Sequence, residues 1–226
     1  MERKHICAFL WRLVLDVVFP VPIRLETLSK LSATTLLTTA KHASNDTVLS
    51  KANTEAVFAY RDPLIRDAIR AFKYEGIRQL GRVFAETLYD TLHEDVSYDL
   101  LLSTSGSPLL VVPIPLSRER YLERGFNQSE IVAEHFVQLF ESKKILLASH
   151  VLVRNRNTER QALRPGRAER EENIRGCFST PFPEQIAGKH IILIDDVITT
   201  GATMREGRQA LLDAGAVHVR CIAIAH

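Results

Sequence analysis

Residues 191–203 read IILIDDVITTGAT, and their types suggest a chemistry before any fold is assigned. Asp195 and Asp196 follow four consecutive branched apolar residues, Ile191 to Ile194, the mark of a strand covered on both faces in a parallel sheet. In an open α/β sheet, ligands bind outside the carboxyl ends of the strands, so the two acids emerge into the expected crevice. Thr199, Thr200, Gly201, Ala202 and Thr203 then turn into a helix. The first amides of that helix and its dipole favour an anion, and Gly201 lets the backbone approach it closely. A ligand carrying both a phosphate and sugar hydroxyls suits both halves: donors surround the phosphate, and carboxylates accept from the hydroxyls. Each half alone has an ordinary reading, a solvated acid pair or a threonine helix cap. Neither GxxxxGK[ST] nor GxGxxG occurs in the chain.

Two further segments bring positive charge. Pro113, Ile114 and Pro115 break a short buried strand, Leu109 to Val112, at the same sheet edge, and their two X-Pro bonds permit a tight or even cis turn. Arg118, Arg120 and Arg124 follow, with the right charge and fork geometry for a diphosphate, although Glu119 and Glu123 also fit an exposed helical face. From Arg154 to Arg175 there are seven arginines, Arg160 and Arg167 among them, against four glutamates, a net charge of +3. A long loop of this kind closes over a polyanion, follows a nucleic-acid backbone, or is simply solvated. Tyr121 and Phe178 are the only stacking candidates near it, a thin platform for single strands.

The elements that must position these residues come from the rest of the pattern. At 226 residues, 46% hydrophobic, 25% charged and a net charge of +2, the chain matches an ordinary folded protein and excludes disorder throughout. Val57 to Arg61 reads as a strand, and Pro63 opens a helix with apolar residues at 64, 65, 68, 69 and 72, closed by Gly76. Helices are expected over 79–93 and 128–140, an apolar stretch over 145–153, and strands over 190–195 and 217–225. The fold class is therefore α/β, a mostly parallel open sheet with flanking helices. An N-terminal unit, 1–55, holds an amphipathic helix with Ile6, Leu10, Leu13 and Val17 on one face, then a Ser/Thr-rich linker from Thr27 to Thr54. The main domain is 56–226. Arg12 and Asp16 spoil the first apolar stretch as a membrane span, and no cleavage site follows it. Cys7, Cys177 and Cys221, odd in number and far apart, suggest a reducing, cytoplasmic setting, and their spacing with the histidines gives no zinc site.

The segment 191–203 resembles the 5-phosphoribosyl 1-diphosphate (PRPP) signature of type I phosphoribosyltransferases, through both acids and the whole TTGAT. FKYEGIRQLG (72–81), VVPIPLSRERYLERGFNQSEIVAE (111–134) and the spaced Arg160, Gln161, Leu163, Arg167, Asn173, Gly176 and Phe178 are similar to the ComF-type, competence-associated branch. The resemblance runs from about Ala56 to the end. It implies that Thr199 to Thr203 cradle the 5-phosphate, that Asp195 and Asp196 contact the ribose hydroxyls, and that magnesium bridges ribose and diphosphate oxygens. The four-cysteine zinc module common in this branch is expected to be missing, since Cys7 is the only cysteine before residue 177 and none lies near the FPVP stretch at 19–22. His226 follows the last strand directly, leaving little room for a C-terminal hood over an acceptor base.

Two functions are carried forward. One is a PRPP-dependent transferase acting on an acceptor that the sequence does not identify. The other, from a different class, is a non-enzymatic competence factor that binds single-stranded DNA or competence proteins, or senses PRPP. Oligomerisation is left open by both.

Overall fold

The computed structural model describes residues 23–44, 47–102, 107–155 and 176–226. Strands β1 (Thr54–Phe58), β2 (Leu109–Pro113), β3 (Ile145–Leu147), β6 (His190–Val197) and β7 (His218–Ala225) form one parallel sheet in the order β1-β7-β6-β2-β3. A small antiparallel ribbon pairs β4 (Val153–Arg154) with β5 (Phe178–Ser179). The helices are α1 (Ile23–Ser29), α2 (Ala33–Thr39), α3 (Thr47–Ala52), α4 (Pro63–Tyr74), α5 (Gln79–Leu102), α6 (Arg118–Arg124), α7 (Gln128–Gln138), α8 (Pro183–Ile186) and α9 (Ala202–Asp213).

The continuous apolar runs have the cause expected of them. Strand residues alternate between faces, and here both faces are covered. Val111, Ile192, Ile194, Ile222 and Ile224 pack into one core with α1, α2, α4, α5 and α7. Leu110, Val112, Ile191, Leu193, Cys221 and Ala223 pack into the other with α3, α8 and α9. Each fully buried Val, Leu or Ile among them stabilises the fold by roughly 1.5–3 kcal/mol. Cys177 and Cys221 are buried free thiols in the second core. No helix among the described residues is long and apolar enough to cross a membrane.

Chain order places the crevice. After β2 the chain moves outward through α7 to the edge strand β3, whereas after β6 it moves the other way through α9 to β7. Right-handed crossovers in opposite directions put α7 and α9 on opposite faces of the sheet. A gap therefore opens between them at the carboxyl ends of β2 and β6, the switch point where such sheets bind ligands.

Several expectations need correction. The linker expected over 27–54 is largely helical: α1, α2 and α3 each bury a leucine, Leu28, Leu36 and Leu49. Its threonines misled, because Thr38 and Thr39 satisfy their hydroxyls on the carbonyls of Thr34 and Thr35 one turn back. The first strand spans 54–58 rather than 57–61, so the 55/56 boundary falls inside it. Its pairing with β7 sets the start, and the Asp62 carboxylate, accepting from the amides of Leu64 and Ile65, caps α4 and ends the extended chain early. Helix α5 continues nine residues past His93, because Val96 joins the core and Arg220 of β7 bonds Asp99. The stretch 145–153 is a three-residue strand and a turn leading to β4. No cis peptide bond occurs among the described residues, so the turn at Pro113 and Pro115 is trans. The amphipathic helix expected at Ile6 to Val17 lies outside the described residues.

Candidate functional site

The two strand ends meet as the topology requires. Pro113 is in register with Ile194, and the Ile114 amide donates to the Ile194 carbonyl at 2.8 Å. Asn127 fixes this turn from the far side: its Nδ2 donates to the Ile114 carbonyl at 3.1 Å, while its Oδ1 accepts from the Ser129 amide at 3.2 Å and caps α7. One buried side chain thus sets both the turn and the helix start. Gly125, at φ 75°, closes α6 so that the chain can reach Asn127.

On the other side, α9 approaches Ile114 at Gly207, where a Cβ would lie 2.9 Å from Ile114 Cδ1. Gly207→Ala is expected to overpack this contact by roughly 1–3 kcal/mol, offset by about 1 kcal/mol of helix propensity. Urea denaturation should therefore show a net loss. A stabilised variant would mean that Ile114 yields freely and that the turn is soft.

The acid pair sits at the end of β6. Asp195 Oδ1 accepts from Ser129 Oγ at 3.1 Å and from the Asp196 amide at 2.8 Å, which folds its carboxylate back over the strand end. Asp196 has the parity of Ile192 and Ile194, facing the α4 side, and its Oδ1 accepts from Lys73 Nζ at 2.8 Å. Burial pushes the Asp195 carboxyl up to about 7; the adjacent Asp196 charge adds to the rise, and Lys73 with the two hydrogen bonds opposes it.

Beyond the acids, Gly201 adopts the left-handed conformation, φ 73° and ψ 0°, and turns Thr199 and Thr200 into α9. Gly201 brings no side chain to the cap position, and the Ala202 amide donates to Thr200 Oγ1 at 3.4 Å. Arg205 holds the turn by donating to the Thr200 carbonyl at 3.0 Å. Thr199 is exposed, and Thr203 is the second residue of α9. The start of α9 thus follows the acid pair directly in the chain, at the carboxyl end of β6.

The arginines divide. Arg118 lines an open cavity of about 430 Å³ together with Pro113, Pro115, Tyr121, Glu130 and Arg154. Arg120 is half-buried in α6, its amide on the Ser117 hydroxyl. Arg124 is committed elsewhere: it donates to Gln128 Oε1 at 2.8 Å and to the Tyr74 hydroxyl at 3.1 Å, bracing α4 against α7. Arg160 and Arg167 lie outside the described residues. Sequence reasoning missed Lys73 and Ser129 as members of the site, although both sit inside quoted motifs, FKYEG and GFNQS.

With this geometry in place, comparison with known proteins is informative. Residues 124–226 match the phosphoribosyl transferase domain family. Competence protein ComFC of Bacillus subtilis (strain 168) is 31% identical over 75% of this chain and 62% of its own length. DNA utilization protein YhgH of Escherichia coli (strain K12) is 34% identical over 51% of this chain and 49% of its own. The chain thus spans between about half and under two thirds of the relatives it matches. Among solved structures, the allosteric regulatory enzyme of purine biosynthesis is 21% identical, with a TM-score of 0.41 over 65% of this chain and 26% of that one.

Proposed function

We propose that the chain is a ComF-type member of the phosphoribosyltransferase superfamily, and that its crevice binds PRPP and transfers the phosphoribosyl group to an acceptor. The observation that carries this reading is the sequence of features at one strand end: Asp195 and Asp196 close β6, the Gly201-initiated α9 follows directly, and the Pro113–Ile114 turn is paired alongside at Ile194. Amides and hydroxyls of Thr199 to Thr203 would hold the 5-phosphate, and the acids would accept from the ribose hydroxyls. Arg118 would face the diphosphate, with Arg120 and Arg124 on the same helix, and Arg160 and Arg167 are candidates for the same charge by sequence alone. Hard oxygen donors at the strand end fit a magnesium-bearing ligand. The chemistry such an ion would supply, when bound with the ligand, is positive charge to offset that of the departing group.

In the reaction, an acceptor lone pair forms a bond to C1 while the bond from C1 to the diphosphate oxygen breaks. The electron pair leaves with diphosphate, and the acceptor's proton passes to solvent or a nearby carboxylate. The residues of this chain position and stabilise charge; no covalent intermediate is invoked. Isothermal calorimetry with PRPP, with and without magnesium, followed by diphosphate release against a nucleobase panel, tests the proposal. Saturable magnesium-dependent binding is expected, and no heat under any condition would reject it. Binding without release would leave a PRPP sensor.

A second reading, favoured by the names of the relatives, is single-stranded DNA handling linked to competence in the cytoplasm. Tyr74 and Tyr121, 58% and 50% exposed, stand beside Arg124 and Arg118 and give more stacking surface than the sequence suggested. Titration with labelled single strands across a salt series discriminates: this reading requires tight binding with a steep salt slope, and no binding at low salt eliminates it.

A further inference from the structure

Asp195 and Asp196 are adjacent in β6, but their surroundings are unequal. Asp196 is 7% exposed and its carboxylate is engaged by the Lys73 ammonium, on side chains left 9% and 16% exposed. Asp195 is half-buried, and its carboxylate accepts from neutral donors, the Ser129 hydroxyl and the Asp196 amide. Lys73 is not needed to finish its helix. The Glu75 amide donates to the Ala71 carbonyl, and Gly76 at φ 73° turns the chain away. A pair this sheltered also adds little net stability, because desolvating two charges offsets their attraction.

What the pair does provide is a fixed geometry. Lys73 grips Asp196, whose amide holds Asp195. Asp195 also takes the Ser129 hydroxyl, and Ser129 follows Gln128, which accepts from Arg124. Arg124 in turn donates to Tyr74, next to Lys73 in the last turn of α4. Seven side chains from four elements close on themselves around the strand end.

We infer that Lys73 is a positioning residue for the acid pair: it fixes Asp196 as a charged strut and leaves Asp195 as the carboxylate that accepts from the ligand's hydroxyl. The identity of that ligand rests on the PRPP reading; the division of labour between the acids does not.

The test uses the full chain as wild type, Lys73→Met, Lys73→Arg, Asp196→Asn and the double variant Lys73→Met/Asp196→Asn, with melting curves to confirm folding. PRPP affinity by calorimetry should fall about tenfold or more in Lys73→Met, stay within about threefold in Lys73→Arg, and change less than about twofold when Lys73→Met is added to Asp196→Asn. An equal loss in both backgrounds would make Lys73 a direct ligand contact and overturn the inference, as would wild-type affinity in Lys73→Met. A ligand-free readout separates this from the PRPP reading. Carboxyl NMR should show the Asp195 midpoint moving above about 7 in Lys73→Met, where an opposing positive charge is lost, and holding in Lys73→Arg. An unmoved midpoint in Lys73→Met overturns the inference even if PRPP binds. If the wild type ignores PRPP while Lys73→Met shows the midpoint shift, the ligand reading falls and the strut stands.

Discussion

Asp195→Asn and Asp196→Asn are each expected to weaken PRPP binding by on the order of ten- to a thousandfold, since a charge-assisted hydrogen bond contributes about 1.5–3 kcal/mol and its loss leaves the other partners misaligned. The two should part company in stability. Asp196→Asn strips the Lys73 ammonium of its carboxylate in a setting where only 16% of that side chain is exposed. Breaking a buried pair on one side costs about 3–5 kcal/mol, and the residual exposure of Lys73 places this case near the lower figure. Asp195→Asn leaves no unpaired cation, and its amide oxygen can still accept from Ser129. Calorimetry for affinity and urea denaturation for stability therefore give two signatures: both properties lost at position 196, affinity alone lost at 195. Unchanged affinity in both variants would reject the site outright.

How much of this arrangement was legible in the sequence depends on the range of the interaction that decides it. Ile191 to Ile194 announces a strand covered on both faces because four branched residues in a row admit few other placements, and HIILIDDV is that strand. Asp195 and Asp196 were legible for the same reason, since acids have no packing role at the end of a buried strand. The helices over 27–54 were not legible. Leu28, Leu36 and Leu49 are spaced too widely to give a period, and each finds its partner only in a core assembled from distant segments. Helix α5 was cut short for a related reason: past His93 the polar run EDVSYD breaks the apolar stripe, and Asp99 is held by Arg220, 121 residues away. Lys73 shows the same limit inside the site. FKYEG reads as the end of a helix from local rules, and only the tertiary pairing with Asp196, 123 residues on, makes its lysine part of the crevice. Arg124 errs the other way: its charge suited a diphosphate, but Tyr74, 50 residues earlier in the chain, takes one of its donors.

The second large effect is on stability against pH, and it comes from Asp195. Its carboxyl is raised to about 7 in the folded state, from 3.8 as the ordinary value for the unfolded chain. Between those limits the native state holds a proton that the unfolded state has lost, so unfolding stability falls as pH rises, by about 1.4 kcal/mol per unit for a single group. The contribution is fully present below about pH 4, is lost progressively toward pH 7, and is constant above it. Other acids pull the opposite way. Asp62, whose carboxylate accepts the amides of Lys41, Leu64 and Ile65, titrates below its ordinary value and contributes stability that is lost only as pH falls. The informative quantity is therefore the difference between Asp195→Asn and wild type, measured by urea denaturation from pH 4 to 8. It should rise in favour of the variant and level off near pH 7, at no more than about 4 kcal/mol. Parallel curves would show that Asp195 is charged without cost and that its burial exerts no strain. A rising difference would mean that the fold keeps, at the mouth of its crevice, an acid that weakens it at neutral pH. Such a group is retained where a ligand repays the charge: a ribose hydroxyl offers the donor that burial removed, so PRPP affinity in the wild type should increase with pH over the same interval in which stability declines.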